Sequence, residues 1–322
     1  MKHQGRVFIT GIAGFAGSYL AEYLHSEGYY VSGLLAPGER TDNIKMILPD
    51  LKLERFDILR YDRLAKLIRK IKPDYIFHLA AMSSVGKSFD SVRKVFDINF
   101  AGTLNLFESA KDAPYNPKKI IFVGSSDSYG LFKPIGKILK INQPFNPISP
   151  YGISKAAGEY LATYYCRTAG LPVVRARAFN HTGPKQTADF VVPSFCRQIA
   201  RIEKGKKKPE IAVGNLSARR DISDVRDIVR GYFLMARKGR AGDVYQLCSG
   251  KAVAIQSVLN KLLAMSNRKI KITVDKSRLR KSDIPVLRGD NSKTIKDLGW
   301  KIRYKLNDTL KDTLEYWREV TA

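Results

Sequence analysis

The segment Val7-Phe-Ile-Thr-Gly-Ile-Ala-Gly-Phe-Ala-Gly17 runs from a short apolar stretch into a turn with glycines at positions 11, 14 and 17. In a strand-to-helix turn, Gly11 permits the tight bend, Gly14 lets a pyrophosphate approach the backbone, and Gly17 lets the helix pack closely on the strand. The N-terminus of that helix then faces the phosphates. The motif predicts a dinucleotide site, although such a turn also occurs for purely structural reasons.

Short apolar runs alternate with helical patterns through the first half of the chain. The expected strands are 7–10, 29–35, 51–56, 75–79, 120–124 and 173–179, and the expected helices are 15–27, 61–71, 91–111 and 151–168. The strand segments are apolar at nearly every position, which is typical of strands covered by helices on both faces. The pattern predicts an α/β fold with a doubly wound, Rossmann-type parallel sheet.

The pattern changes after about residue 178, where shorter mixed elements and a basic run at 204–208 follow. We expect a dinucleotide-binding domain over 1–178 and a smaller C-terminal α/β substrate-binding domain over 179–322. A helical pattern at 222–238 is expected to pack back on the first domain.

The chain of 322 residues contains 56 Lys and Arg against 30 Asp and Glu, a formal charge of +26. Nucleic acid, an anionic membrane surface, a phosphate-bearing substrate or solubility alone would each explain this excess. Cys166, Cys196 and Cys248 form no C-x-x-C pair, so neither a disulfide framework nor a metal site is expected. No stretch suits a signal sequence or approaches the ~18 apolar residues of a membrane span. We expect a soluble, cytoplasmic protein.

The end of the second strand bears on the choice of cofactor. In dinucleotide sites an acidic residue there binds the ribose 2′-hydroxyl and selects NAD over NADP. Here the strand runs into Ala-Pro-Gly-Glu39-Arg40, with no acidic residue at the strand tip itself. Since Arg40 could reach a 2′-phosphate, NADP is favoured, while Glu39 beside it leaves NAD open. Asp57, after the third strand, suits the adenine amino group or caps the next helix.

Tyr151 and Lys155 are four residues apart at the start of a predicted helix, and therefore lie on one helical face. A phenol has a pKa of about 10, and a neighbouring ammonium together with an oxidised nicotinamide would lower it. The tyrosine could then exchange a proton at neutral pH. A surface pair of these residues is the structural alternative.

The strand over 120–124 ends in Ser125-Ser-Asp127-Ser-Tyr-Gly130, and doubly wound sheets bind their ligands at such strand ends. The Ser125 hydroxyl could bond a reacting sugar oxygen, and Asp127 could act as an acid or a base. Ser and Asp are also ordinary loop residues.

These motifs together resemble the extended short-chain dehydrogenase/reductases that act on nucleotide sugars. The resemblance covers essentially the whole chain. It rests on the glycine turn, His-Leu-Ala-Ala at 78–81, Asn99 in Asp-Ile-Asn-Phe-Ala-Gly-Thr, Ser125, and Tyr151 with Lys155, all in the family's order. Further similar segments are Arg-Ala-Phe-Asn-His-Thr-Gly-Pro at 177–184, Asn-Leu-Ser-Ala-Arg-Arg-Asp at 215–221, Asp-Val-Arg-Asp at 224–227 and Leu-Arg-Lys-Ser-Asp-Ile-Pro at 279–285.

The resemblance implies a catalytic set of Ser125, Tyr151 and Lys155, with Asp127 as an additional acid or base and Asn99 helping to hold the lysine through water. The implied cofactor-binding residues are Gly11, Gly14, Phe15, Ala16, Gly17, Arg40, Asp57, Ile58, Leu79, Ala80, Ala81, Asn99, Tyr151 and Lys155. The implied substrate-binding residues are Ser83, Ser84, Ser126, Asn180, Val191, Arg220 and Arg280, of which Arg220 would hold diphosphate and Arg280 the nucleotide side.

Two subgroups are most similar, the GDP-6-deoxy-4-keto-mannose reductases and the GDP-mannose 4,6-dehydratases. The dehydratases carry an acidic pair, or a glutamate two residues before the Tyr-Gly that matches Tyr129-Gly130. Asp127 stands there instead, with a side chain one methylene shorter, and such a displacement matters for proton transfer. The resemblance therefore implies reduction of the C4 ketone of GDP-4-dehydro-6-deoxy-mannose to GDP-rhamnose, with Tyr151 as the proton donor.

Other functions remain open. They are a GDP-mannose 4,6-dehydratase that uses Asp127, a nucleotide-sugar 4-epimerase, and a non-enzymatic cofactor-sensing or nucleic-acid-binding module. The intact Ser125, Tyr151 and Lys155 argue against the module, and no basic motif interleaved with aromatic residues is present.

A homodimer is also expected, because the family's dimers pair two helices into a four-helix bundle. The helical stretches 91–111 and 151–168 carry more apolar and aromatic residues than one buried face requires, namely Phe96, Phe100, Leu104, Phe107, Tyr160, Tyr164 and Tyr165. A broad stripe facing the chain's own sheet is the alternative.

Overall fold

The computed structural model describes residues 3–279 and 283–321 and contains the expected parallel sheet. The strands are β1 (Arg6–Thr10), β2 (Tyr30–Leu35), β3 (Lys52–Arg55), β4 (Tyr75–His78), β5 (Lys119–Ser125), β6 (Val173–Ala178), β7 (Asn180–Thr182), β8 (Glu210–Val213), β9 (Arg219–Asp224), β10 (Val244–Leu247), β11 (Ala252–Ala254), β12 (Lys271–Val274) and β13 (Val286–Leu287). The main sheet has seven parallel strands in the order β10-β6-β5-β4-β1-β2-β3. The strand order reverses between β1 and β4, so their carboxyl ends border the crevice where such sheets bind ligands.

Helices cover both faces of this sheet. The helices of the described residues are α1 (Phe15–Ser26), α2 (Tyr61–Ile71), α3 (Val85–Ser88), α4 (Val92–Phe96), α5 (Gly102–Lys111), α6 (Pro150–Thr168), α7 (Val191–Glu203), α8 (Val225–Lys238), α9 (Ile255–Leu263), α10 (Ser292–Leu298) and α11 (Leu306–Val320). The core on one face includes α1 and α8, and the core on the other includes α2, α5 and α6. Along β1, Val7 and Ile9 enter the first core and Phe8 enters the second. The predicted doubly wound α/β fold is confirmed.

The predicted helix over 91–111 contains an irregular turn. A π-helical turn over Asp97–Ala101 joins α4 to α5. Asn99 lies within this turn and is buried. Such turns are often found at functional sites, because they change which side chains face a neighbouring element.

The second half of the chain builds a smaller region. β7, β9, β11 and β13 form one sheet, β8 pairs with β12, and α7, α9 and α11 enclose a separate apolar core. The helix expected over 222–238 begins only at Val225, since residues 222–224 complete β9. The prediction was wrong at this end because the Asp224 side chain accepts a hydrogen bond from the Arg226 backbone N–H and caps the helix there.

The chain then returns to the main sheet. α8 packs on α1 and against β5 and β6, and β10 pairs with β6. We propose to divide the chain near residue 178 into a dinucleotide-binding and a substrate-binding part, with residues 225–247 assigned to the first. Among the helices of the described ranges, none combines the length and apolar character needed to cross a membrane.

Candidate active site

The glycine turn is packed too closely against the neighbouring backbone to accept side chains. A Cβ atom on Gly17 would lie 2.0 Å from the Gly11 carbonyl oxygen, and one on Gly11 would lie 2.9 Å from the Ala80 backbone nitrogen. Gly11 also has a φ of 71°, which favours glycine. Gly14 caps α1 without a side-chain bond, so the first N–H groups of the helix remain for an anionic ligand. This cradle fits the pyrophosphate of a dinucleotide.

An aromatic wall follows the turn. Phe15, with half-buried Ala16 beside it, stacks on His181 with ring centroids 5.9 Å apart and planes at 12°. Nδ1 of His181 lies 2.9 Å from the Phe179 carbonyl oxygen and must donate to it. Burial lowers the pKa of His181, so the ring is neutral and Nε2 is an acceptor. The sequence analysis named His181 only as part of a motif.

Residues after β4 form the other side of the crevice. In the segment 79–81, the Leu79 N–H donates to the Thr10 carbonyl oxygen at 3.2 Å. The Ala80 N–H donates to the Thr10 hydroxyl oxygen, also at 3.2 Å. Ser83 is exposed, and the Ser84 hydroxyl caps α3. The structure thus places Leu79 and Ala80 beside the glycine turn.

The tip of β2 carries a carboxylate after all. Glu39 folds back, and its Oε2 accepts a hydrogen bond from the Ala36 N–H at 2.8 Å. Arg55 Nη1 donates to the carbonyl oxygens of Ala36 and Glu39 at 3.0 and 2.7 Å. Arg40 extends into solvent, where its Nε donates to Asp42 at 2.6 Å. The strand itself ends without an acidic residue, as its sequence shows, and of the two open possibilities for the loop the structure has the one in which the Pro-Gly turn brings Glu39 back to the strand tip.

Asp57 and Ile58 lie beyond β3. The exposed Asp57 carboxylate accepts a hydrogen bond from the Leu59 N–H at 3.0 Å, as a turn residue does. Ile58 is buried, and a Cβ atom on Gly102 would lie 2.8 Å from its side chain. Ile58 therefore supports the helix that contains the π turn.

Ser125, Tyr151 and Lys155 meet where β5 ends and α6 begins. The Ser125 hydroxyl is hydrogen-bonded with the Tyr151 phenol, and Lys155 Nζ donates to the Val123 carbonyl at 2.8 Å. Their exposed fractions are 6, 9 and 5 % respectively. The structure brings together the three residues that the sequence assigned to catalysis.

Asp127 belongs to the same cluster. Its Oδ2 accepts a hydrogen bond from the Ser125 hydroxyl at 3.3 Å, and its N–H donates back to Ser125 Oγ at 3.1 Å. Gly152 makes this packing possible, because a Cβ atom there would lie 2.7 Å from the Asp127 carbonyl oxygen. The sequence analysis missed Gly152, whose signal is a glycine in a helical position, where glycine is unfavourable.

Burial controls the titration of this cluster. Loss of water, reinforced by the Asp127 carboxylate, raises the pKa of Tyr151, while the hydrogen bond with Ser125 acts in the opposite direction. The expected lowering, which invoked an oxidised nicotinamide beside the phenol, stays a prediction. Burial also lowers the pKa of Lys155 to about 8. At neutral pH the site holds a neutral phenol and a cationic amine, so Tyr151 is able to donate its proton.

Asn99 reaches α6 from the π turn. Its Oδ1 accepts a hydrogen bond from the Met82 N–H at 2.8 Å, and its Nδ2 donates to Ser154 Oγ at 3.0 Å. Ser154 in turn donates to the Tyr151 carbonyl at 2.8 Å. Asn99 therefore contacts the residue next to Lys155 in the helix.

The predicted substrate-binding residues differ in access. Asn180 and Val191 are exposed, the latter at the start of α7, whereas Ser126 is only 1 % exposed. Arg280 lies outside the described residues.

Arg220 already has protein partners. Its Nη2 donates to Asp283 Oδ1 at 2.5 Å and its Nη1 to the Ile284 carbonyl at 2.6 Å. Asp283 also accepts from Asn215 Nδ2 at 2.9 Å. A pocket adjoins this pair and is lined by Gly214, Asn215, Leu216, Val274, Leu279 and Asp283. A diphosphate bound to Arg220 would share the guanidinium with Asp283.

A family described as GDP-mannose 4,6 dehydratase matches residues 8–313. The chain is 30% identical over 312 residues to the GDP-6-deoxy-D-mannose reductase of Pseudomonas aeruginosa, covering 97% of each protein. It is 28% identical over 341 residues to the GDP-mannose 4,6 dehydratase of Homo sapiens, covering 97% of this chain and 91% of that protein. The resemblance noted from the motifs is confirmed.

Solved structures agree in fold. The structure of RMD from Pseudomonas aeruginosa complexed with NADPH has a TM-score of 0.83 and 30% identity, covering 98% of this chain and 100% of that one. The UDP-glucose 4-epimerase of Thermus thermophilus in complex with NAD has a TM-score of 0.86 and 25% identity, covering 97% and 99%.

Replacing Lys155 with methionine is expected to change how stability depends on pH. The native pKa of about 8 lies below the ordinary 10.5, so between these values the unfolded wild type binds more protons and wild-type stability rises with pH. Relative to wild type, the free energy of unfolding of the variant should fall by up to about 3 kcal/mol across this window. Urea unfolding at a series of pH values measures this change, with Lys45→Met at an exposed lysine as control. Parallel pH curves for the Lys155 variant and wild type would contradict the assignment.

Proposed function

The chain belongs to the GDP-mannose 4,6-dehydratase family, and from that premise we propose that it is an NAD(P)H-dependent reductase of a nucleotide sugar. In the proposed reaction, the C4 ketone of GDP-4-dehydro-6-deoxy-mannose is reduced to give GDP-rhamnose. The observation that carries this proposal is the buried cluster of Ser125, Tyr151 and Lys155, in which the phenol keeps its proton. Similarity along 97% of the chain to a GDP-6-deoxy-D-mannose reductase supports the same reaction.

The glycine turn would hold a reduced nicotinamide cofactor, which when bound would supply the hydride for the sugar C4 carbon. The residues of the chain protonate and hydrogen-bond the oxygen on the sugar C4 carbon. As negative charge develops on it, Tyr151 transfers its phenolic proton to the alkoxide, and the Lys155 ammonium favours the phenolate left behind. The Ser125 hydroxyl turns from Asp127 to the same oxygen and donates a hydrogen bond there.

A 4,6-dehydratase is the second candidate, favoured by one observation. Asp127 provides a carboxylate within the Ser125–Tyr151 cluster, and elimination of water from the sugar needs such an acid or base. The two reactions differ in their redox balance. The dehydratase returns its cofactor to the starting state in every cycle, whereas the reductase consumes reduced cofactor.

Two substrates therefore separate the candidates. We expect NAD(P)H oxidation with GDP-4-dehydro-6-deoxy-mannose and no conversion of GDP-mannose, followed by absorbance and by NMR of the products. Tyr151→Phe should lower kcat by at least about 100-fold with nearly unchanged cofactor affinity, and Tyr61→Phe at the surface serves as control. Conversion of GDP-mannose without net cofactor consumption would replace the reductase by the dehydratase. Unchanged turnover of the Tyr151 variant would contradict both the reductase and the dehydratase.

We propose NADPH as the favoured cofactor and NADH as the second. Arg40 and Arg55 both lie near the β2 tip, where a 2′-phosphate would bind, and RMD is complexed with NADPH. Glu39 opposes this preference, because its carboxylate is fixed at the same tip and repels a phosphate.

Glu39→Gln should therefore increase the preference for NADPH. The amide oxygen still accepts the Ala36 hydrogen bond, but the charge is gone, so the ratio of the NADH to the NADPH dissociation constant should rise about tenfold. Fluorescence titration with each nucleotide measures the ratio. Glu27→Gln removes the same charge at the far end of α1 and should leave it unchanged. An equal effect of both substitutions would exclude a specific role for Glu39.

We propose that the protein forms a homodimer through α4, α5 and α6. Ile153, Tyr160 and Tyr164 leave 43, 66 and 56 % of their surface exposed and recur at helical spacing on α6. Two residues expected at this surface, Phe107 and Tyr165, are instead buried in the chain's own core, where their rings pack together. The exposed face that remains on α6 supports pairing with a second copy.

Tyr160→Glu is expected to dissociate this dimer, since a carboxylate in an apolar interface loses its water. Light scattering at micromolar concentration should give a dimer for wild type and a monomer for the variant. Met46→Glu, at an apolar side chain that is 78 % exposed elsewhere, should stay dimeric. A monomeric wild type would refute the proposal.

A further inference from the structure

A buried chain of hydrogen bonds runs sideways from the end of β1 to the π turn. Thr10 Oγ1 and His78 Nδ1 are 2.8 Å apart, and His78 Nε2 and Thr103 Oγ1 are also 2.8 Å apart. The Thr103 hydroxyl then donates to the Asn99 carbonyl at 2.6 Å. These four residues are at most 2 % exposed, so each polar atom depends on its neighbour in the chain.

The hydrogens available to its neighbours determine the tautomer of His78. The single hydroxyl hydrogen of Thr103 is used on the Asn99 carbonyl, so His78 Nε2 must carry the hydrogen between them. Burial and the nearby Lys155 charge lower the pKa of His78 to about 3, so the ring is neutral and Nδ1 bears a lone pair. Nδ1 accepts from the Thr10 hydroxyl, whose oxygen accepts from the Ala80 N–H. All the hydrogen bonds therefore point in one direction, from Ala80 to Asn99.

The Asn99 end of this series of hydrogen bonds is connected to α6. The Asn99 amide donates to Ser154, and Ser154 donates to the carbonyl of Tyr151. Lys155 follows directly, and its Nζ lies 5.7 Å from the centre of the Phe122 ring, which the His78 ring also approaches. Displacement of the π turn would therefore also displace the start of α6.

We propose that His78 is a positioning residue, which as the neutral Nε2–H tautomer fixes the π turn at Asn99 and, through Ser154, the placement of Tyr151 and Lys155. The neutral ring also keeps a second positive charge away from Lys155. The kinetic consequence rests on the proposed reductase function, whereas the tautomer and its effect on Lys155 do not.

The first test uses the wild-type protein with ¹⁵N-labelled histidine. NMR should assign a hydrogen to Nε2 of His78 and none to Nδ1, with no titration of this ring between about pH 5 and 8. A His78→Gln variant, recorded in parallel, identifies the signals. A protonated Nδ1, or titration near the ordinary value, would overturn the proposal.

The second test compares two buried threonines with the same local bond. Thr103→Val removes the acceptor of His78 and the donor to Asn99, while Thr313→Val removes an equivalent hydroxyl bond to the Thr309 carbonyl within α11. We expect Thr103→Val to lower kcat about tenfold or more, with little change in KM or nucleotide affinity. Thr313→Val should reduce stability alone. Equal kcat values for the two variants would show that this series of hydrogen bonds has only a structural role.

A readout without sugar covers the case in which no reductase activity is found. If α6 is displaced in Thr103→Val, Lys155 regains water and its pKa moves toward the ordinary value. The rise of stability with pH above about 8 should then become shallower than in wild type and in Thr313→Val. An absence of turnover in the wild type would contradict the proposed reductase function. An unchanged dependence of stability on pH in Thr103→Val would contradict the positioning role of His78.

Discussion

The site depends on the parallel pairing of β1, β4 and β5, which brings three strand ends to one edge of the sheet. In this register Thr10 pairs with His78, and His78 pairs with Phe122. The glycine turn, the 79–81 segment and the serine-rich turn at 125–128 therefore leave the sheet side by side. A slip of one residue would exchange the two faces of a strand. The buried bond between Thr10 and His78 disfavours such a slip, because it would separate two polar groups in an apolar core.

Buried charges near this edge fix positions more than they add stability. Arg177 on β6 forks onto Glu159 of α6, with Nε and Nη2 at 3.0 and 2.8 Å from Oε1, and its Nη1 donates to Tyr129. The loss of hydration offsets most of the attraction in such a pair. Glu159 lies one helical turn beyond Lys155, so the pair fixes the distance between α6 and the sheet. Arg177 opens the motif at 177–184, and its hydrogen-bond partners lie within the protein.

Periodicity and glycine spacing predicted the main sheet, its helices and the placement of Tyr151 and Lys155 four residues apart on one helix, because these features depend on local pattern and on the rules of parallel sheets. Other features depend on contacts distant in sequence. The carboxylate of Glu39 returns to the β2 tip only through the geometry of a turn, and Arg220 meets a partner 63 positions away. The π turn at Asn99 has no signal of its own in the apolar pattern of the sequence. The pKa of Tyr151 follows from burial, which no local pattern determines.

Asp127 connects the electrostatics of the site to the direction of its chemistry. A dehydratase or an epimerase first oxidises the sugar at C4, which requires Tyr151 to accept a proton from the hydroxyl. A carboxylate that raises the pKa of this phenol makes the tyrosinate harder to form and the neutral phenol easier to keep. Since Asp127 also accepts a hydrogen bond from the Ser125 hydroxyl, its charge acts on both groups that the proposed reaction places at the sugar oxygen. The carboxylate therefore keeps the proton on Tyr151 before transfer, and the Lys155 ammonium has to offset this effect by stabilising the phenolate that proton transfer to a ketone would leave.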